Sequence, residues 1–175
     1  MLVTGLQGTG KSTVADAAGA HLGAAALAHD WAMSGLRPYP ELQRALDATD
    51  LGHRYVGWSI LSALARSELR RGRDVVLDGV ARSPEIARCR DLAAEEGARF
   101  VLVVTECPDA TVHRSRVAGR QRAIPDWYEL DWDHVQRARD TWVPISDPDL
   151  VLDATSPASQ NLDLLRSLLA HARGN

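Results

Sequence analysis

Near the start of the chain, Gly5-Leu6-Gln7-Gly8-Thr9-Gly10-Lys11-Ser12 fits the pattern GxxxxGK[ST] at every fixed position. Glycines let such a loop curl until its N–H groups converge on phosphate oxygens. The helix that should follow adds the positive end of its dipole. Lys11 can then reach β- and γ-phosphates, and the Ser12 hydroxyl can ligate Mg²⁺. Gly5, Gln7, Gly8, Thr9, Gly10, Lys11, Ser12 and Thr13 form the expected nucleotide-binding set, with Lys11 also catalytic. The plainer alternative is a glycine-rich turn before a helix, but such a match arises by chance in roughly one chain of this size in a hundred. The chain holds 20 basic residues, and Lys11 is its sole lysine. The arginine bias itself is explained by a GC-rich genome.

Two aspartates belong to the same chemistry. Asp78 ends the apolar run Val75-Val76-Leu77, where an acid beside a phosphate loop can hold Mg²⁺ directly or through water. Asp30 follows Ala24–Ala28 and would emerge on the same rim, placed to bind an attacking hydroxyl and accept its proton. The competing structural roles are a loop-capping carboxylate for Asp78 and an N-cap of the segment Trp31–Leu36 for Asp30. His29 is a weaker rival base. Arg114, Arg116, Arg120 and Arg122 do not fall on one helical stripe, and they flank the weakly periodic stretch GRQRAIPDWYEL. They suit a lid that spreads charge over a transferring phosphate; a solvated helix face is the alternative. His53, Arg54, Tyr55 and Trp58 could touch substrate, although Tyr55 and Trp58 have core spacing. Trp31, Trp127 and Trp132 border the expected site. Arg66, Arg70, Arg71 and Arg73 read as a plain helix end.

These residues need a frame. Apolar runs at Leu2–Thr4, Ala24–Ala28, Val75–Leu77, Phe100–Val104 and Leu150–Leu152 suit strands buried on both faces. Helical segments alternate with them. One runs from Lys11 to His21, and another from Leu51 to Arg71, closed by Gly72. Ser83-Pro84-Glu85 opens a third as an N-cap followed by proline, and Gly97 closes it. Asp131 caps a helix to about Trp142, and Ser156-Pro157 opens the last, with a stripe of Leu162, Leu165, Leu168 and Leu169. Alternating strands and helices predict an α/β sandwich around a mostly parallel sheet. Two intervals, 30–72 and 109–149, exceed a plain crossover and should gather at the carboxyl ends of the strands.

Composition narrows the classes. At 175 residues, one domain is expected, with 45% hydrophobic and 25% charged residues as in an ordinary globular protein. A net charge of −3 disfavours a basic nucleic-acid-coating surface. No apolar run approaches a membrane span, and no secretory signal is visible, so a cytoplasmic setting is expected. Cys89 and Cys107 lack metal or redox spacing and read as small buried hydrophobes.

The order GLQGTGKST, HDW, VVLDGVARSPE, CPD with its following arginines, and VLDAT resembles the P-loop kinase superfamily. It is most similar to the small AAA-type predicted kinases that include polynucleotide kinase, zeta toxin and chloramphenicol phosphotransferase. The resemblance covers nearly the whole chain. It implies a P-loop NTPase α/β/α sandwich with a parallel sheet of order 2-3-1-4-5 and an arginine-bearing lid at about 114–130. It also implies one kinase domain over 1–175 with an acceptor-binding insertion at about 31–72. Asp30 maps to the catalytic aspartate, Arg82 to an acceptor-binding arginine, Arg114 to an adenine-stacking arginine, and Arg120 to one that grips the transferring phosphate. Polynucleotide kinases tend to carry an arginine where Met33 stands here; Arg37 is a substitute from another turn. The expectation is an ATP- and Mg²⁺-dependent kinase acting on a small-molecule hydroxyl. The alternatives are a polynucleotide or nucleotide kinase, and a regulatory nucleotide-binding switch.

Overall fold

The computed structural model describes residues 1–49, 52–121, 123–125 and 127–173, the side chains of His53 and Arg173 aside. The expected lid residue Arg122 lies outside them. Strands β1 (Leu2–Gly5), β2 (Ala25–Ala28), β3 (Val75–Asp78), β4 (Leu102–Glu106) and β5 (Leu150–Asp153) form one sheet of order β2-β3-β1-β4-β5. Every pairing is parallel, and this is the P-loop NTPase order.

Side-chain alternation along the central strands builds two cores. Leu2, Val75, Leu77, Leu102 and Val104 face one layer, where they meet Trp58 and Leu61 of α4 (Gly52–Leu69) and Ile86 and Leu92 of α5 (Ser83–Glu95). Val3, Val76, Val103 and Leu152 face the other. There they pack on Val14 and Ala18 of α1 (Lys11–Leu22) and on Leu165 and Leu169 of α8 (Ala158–Arg173). Burying each such side chain contributes about 1.5–3 kcal/mol, and the sheet is held from both sides. Both cysteines are buried.

Four expectations change. β2 is an edge strand whose residues are exposed or half-buried, because only β3 pairs with it. β4 ends two residues later than its apolar run, at Glu106. Ser83 and Pro84 are the first helical residues of α5, and the cap position falls on Arg82, whose N–H donates to Glu85 Oε2. Asp30 is no N-cap: β2 runs directly into α2 (His29–Ser34), capped at Ala28, and Asp30 lies in its first turn.

The long intervals hold helices the sequence reading left unassigned. α3 (Pro40–Asp47) precedes α4 in the first. In the second, Asp109 caps α6 (Ala110–Ala118) by accepting from the N–H groups of Thr111 and Val112. The irregular stretch after α6 returns through α7 (Trp132–Asp140), capped by Asp131 as expected.

Candidate active site

Strand register brings the two aspartates together. Asp78 pairs with Ala28 of β2 on one side and with Val3 of β1 on the other. Asp30 therefore leaves the sheet two residues beyond Asp78's partner, and the phosphate loop leaves β1 at the same rim. The loop's own shape comes from close packing against β4 and α6. Thr9 turns inward, its hydroxyl 2.7 Å from Leu6 O and 2.6 Å from Thr105 Oγ1. Gly8 sits at φ 84°, and a Cβ there would lie 2.7 Å from Val117 Cγ2, so only glycine fits. Gly5 lies against the Thr105 backbone.

Lys11 begins α1 with Gly10 as its cap, so the N–H groups of Lys11, Ser12 and Thr13 are first-turn donors without intrahelical partners. The Lys11 ammonium is buried and donates to Leu6 O at 2.8 Å. Ser12 Oγ donates to Asp78 Oδ2 at 2.7 Å. Burial pushes the Asp78 carboxyl above its ordinary range; Lys11, the Ser12 hydrogen bond and Arg120 pull it down, while Asp30 pushes it up. Ser12 and Asp78 thus offer one neutral and one anionic oxygen side by side, which fits a hard divalent cation that takes its other ligands from phosphate and water.

A cavity of about 570 Å³ runs from this loop to α2 and α4. Gln7, Lys11, Ser12, Asp78, Asp30 and Arg120 all line it, so the structure gathers the expected loop, metal and base residues around one space. A smaller cavity of about 210 Å³ opens over Gly8, Gly10, Ser12 and Thr13, with Arg116 and Arg120 on its far side. Arg116 also donates to Ala154 O at 2.5 Å, tying α6 to the end of β5. Gly5 and Thr9, which shape the loop from beneath, line neither cavity, and nor do Arg114, Arg82 and Arg37. Arg114 is exposed on α6, and Arg82 is exposed at the start of α5. Arg37 stands with its guanidinium 5.7 Å from the centre of the Tyr128 ring, which is itself in the larger wall.

Arg54 of α4 lines the larger cavity, which Arg82 does not. It donates to Val80 O at 2.6 Å and pairs with Glu85 at 3.3 Å; burial holds its pKa below the ordinary value, against the pull of Glu85. Met33, at the position where polynucleotide kinases tend to carry arginine, is 1% exposed and has no charge to offer a phosphate. Trp31 and Trp127 line the cavity, Trp58 is core, and Tyr55 is exposed beneath the Arg88 guanidinium. Arg66, Arg70 and Arg73 form surface ion pairs with Glu95, Glu96 and Glu68.

Two supports were invisible in the sequence. Gly57 lets α4 approach α2 so closely that a Cβ would lie 2.5 Å from both His29 Nε2 and Met33 Sδ. His29, on the other side of that contact, bonds Arg54 O at 3.1 Å and packs on Trp58, so it anchors α2. The second support is His113, 1% exposed under the loop. Its Nε2 lies 2.6 Å from Gln7 O, an acceptor only, so Nε2 carries the hydrogen and Nδ1 accepts from Arg139 at 3.3 Å. Trp132 meets the same ring edge-on at 5.4 Å. The phosphate loop is thereby bonded through α6 to α7.

The sheet order, loop and rim aspartates define a P-loop NTPase with the architecture of the small kinases. The chain belongs to the AAA domain family AAA_33, matching it over residues 1–145. Among solved structures it is similar to a sugar kinase from Janibacter sp. HTCC2649, with 21% identity, 97% of this chain and 92% of that chain covered, and a TM-score of 0.69. A gluconokinase from Sinorhizobium meliloti 1021 matches at 19% identity, 97% and 90% coverage and a TM-score of 0.69. An APS kinase from Mycobacterium tuberculosis, in complex with AMPPNP and APS, matches at 23% identity, 97% and 96% coverage and a TM-score of 0.65. No curated protein sequence matches the chain. Among the described residues, no helix is long and apolar enough to cross a membrane.

Proposed function

We propose that this protein is a cytoplasmic kinase that moves the γ-phosphoryl group of ATP to a hydroxyl of a small molecule. The observation that carries the reading is one cavity lined by Lys11 and Ser12 of the loop and by Asp30 of α2. Phosphoryl transfer needs little covalent help from protein groups; it needs positioning and charge. The loop N–H groups and Lys11 hold the β- and γ-phosphates. To do so the Lys11 ammonium exchanges its bond to Leu6 O for phosphate oxygen. Ser12 and Asp78 are the residues that would hold Mg²⁺, which would supply neutralisation of the phosphate charge.

Asp30 orients the acceptor hydroxyl and takes its proton as the oxygen attacks. Arg120 borders both cavities and meets the charge that spreads over the transferring group; Arg116 supports it from the nucleotide side. Arg114 retains the adenine-stacking role as part of this proposal. Arg54, in place of Arg82, contacts the acceptor, and Arg37 backs the Tyr128 wall. The domain covers 1–175, with the lid at about 114–130 and the acceptor-binding insertion at about 31–72. The buried Met33 and the net charge of −3 support a small acceptor over a polynucleotide.

The test is incubation with γ-labelled ATP, Mg²⁺ and panels of hydroxylated metabolites, alongside 5′-hydroxyl oligonucleotides. Label appearing on a small molecule is the expected result. Transfer to oligonucleotide alone, or release of phosphate with no labelled acceptor under any panel, would overturn the reading.

A further inference from the structure

The acceptor half of the cavity has its own chemistry. Trp31 and Met33 of α2 line it together with Ile124, Trp127, Tyr128 and Leu130 of the stretch after α6. The Trp127 and Tyr128 rings stack at 5.1 Å with 28° between their planes and make a continuous aromatic wall. Trp31 remains 54% exposed and Tyr128 48%, so much aromatic surface stays in contact with solvent. Such a wall offers a broad apolar face on which a flat ring can stack.

The charges in the same space point the same way. The Arg54 nitrogen that faces Glu85 at 3.3 Å also donates to Val80 O at 2.6 Å. An acidic group on the acceptor would have to share a guanidinium whose charge Glu85 already offsets. Asp30 and Asp16 also line the cavity and repel an anion. Lys11 and Arg120 border the phosphate end instead, where the smaller cavity opens.

We propose, resting on the kinase reading above, that the acceptor is an uncharged molecule that joins its hydroxyl-bearing part to a flat apolar ring, the ring being held between Trp31 and the Trp127–Tyr128 wall. Carboxylated and phosphorylated polyols are disfavoured acceptors. Specificity comes from these aromatic residues, while Asp30 selects the hydroxyl.

The experiment uses three probes: phenyl β-glucoside and methyl β-glucoside, which differ only in the aglycone, and gluconate, an open-chain polyol that carries a carboxylate. Binding to the full chain with Mg²⁺ and AMPPNP is followed by ligand-observed NMR, which needs no turnover. Phenyl β-glucoside should bind at least tenfold more tightly than either other probe. Trp31→Ala should weaken it at least tenfold, Trp31→Phe should restore most of the loss, and AMPPNP affinity should not move in either variant. Equal or tighter binding of gluconate, no binding of the phenyl probe, or indifference to Trp31→Ala would each overturn the proposal. Binding as described with no phosphate transferred to any hydroxyl would sink the kinase reading and leave the aromatic site standing. Transfer to gluconate in preference to phenyl β-glucoside would do the reverse.

Discussion

The Ser12 hydroxyl donates to Asp78 Oδ2 at 2.7 Å, joining the first turn of α1 to the last residue of β3. The pair defines where a divalent cation can sit. Ser12→Ala and Asp78→Asn should each raise the Mg²⁺ concentration needed for half-maximal turnover by about tenfold or more. A Mg²⁺ titration of turnover in each variant checks this. Unchanged midpoints would remove both residues from the metal site.

Lys11→Ala removes the one ammonium from the loop, and no other lysine can replace it. ATP binding should weaken, and turnover should fall by roughly 10²-fold or more, as when a charge-stabilising donor is lost. The melting temperature should stay within a few degrees, because the loop backbone is unchanged and Leu6 O, which accepts from Nζ, can be resolvated. Isothermal titration with ATP and a thermal melt separate the two effects.

Gly57→Ala tests whether α4 positions the base. The added methyl would overlap His29 Nε2 and Met33 Sδ, so α2 must shift, at a cost of about 1–3 kcal/mol. Because Asp30 adjoins His29 on α2, turnover should fall more than ATP affinity. A denaturant melt and steady-state kinetics on the same preparation provide both numbers.

The frame was readable because it rests on strong local signals: apolar runs, a proline-started helix, and a glycine pattern that serves one ligand chemistry. Asp30 and Asp78 were readable as strand-end acids, although only the Ala28–Asp78 register shows that they share a rim. Arg54 stood out less than Arg82 because Arg82 lies in the VVLDGVARSPE run that carries the family resemblance, whereas the α4–α5 contact that turns Arg54 inward is not visible in sequence. Gly57 and His113 carried no signal at all. A helix-interior glycine and a lone histidine acquire meaning only from what packs on them. The short helices α3 and α6 were missed for a related reason. α3 spans only eight residues, too short for its Leu42, Ala45 and Leu46 spacing to stand out, and α6 buries only His113 and Val117.

His113 links pH to stability. Burial lowers its pKa from the ordinary 6.5; the bond to Gln7 O opposes that shift, and Arg139, Lys11 and Arg116 add to it. A depressed folded value means that the unfolded chain binds the proton first as pH falls. The contribution is therefore fully present above about pH 6.5 and is lost as pH drops toward the folded value. His113→Gln cannot take up a proton, so its melting temperature should vary less with pH between about 5 and 7 than that of the parent. Parallel pH slopes in the two proteins would show that another group carries the effect.

The central claim is that Asp30 is the base for a hydroxyl acceptor. Asp30→Asn keeps the size and loses the charge and proton affinity, and it lies away from the loop that holds the phosphates. The measurement is single-turnover transfer from γ-labelled ATP to the labelled product found with the parent protein, beside ATP affinity and a thermal melt. Transfer should fall by roughly 10²–10⁴-fold, with ATP affinity and melting temperature little changed. Transfer at the parent rate by Asp30→Asn would contradict the account, because the residue that gives the cavity its chemistry would then have none.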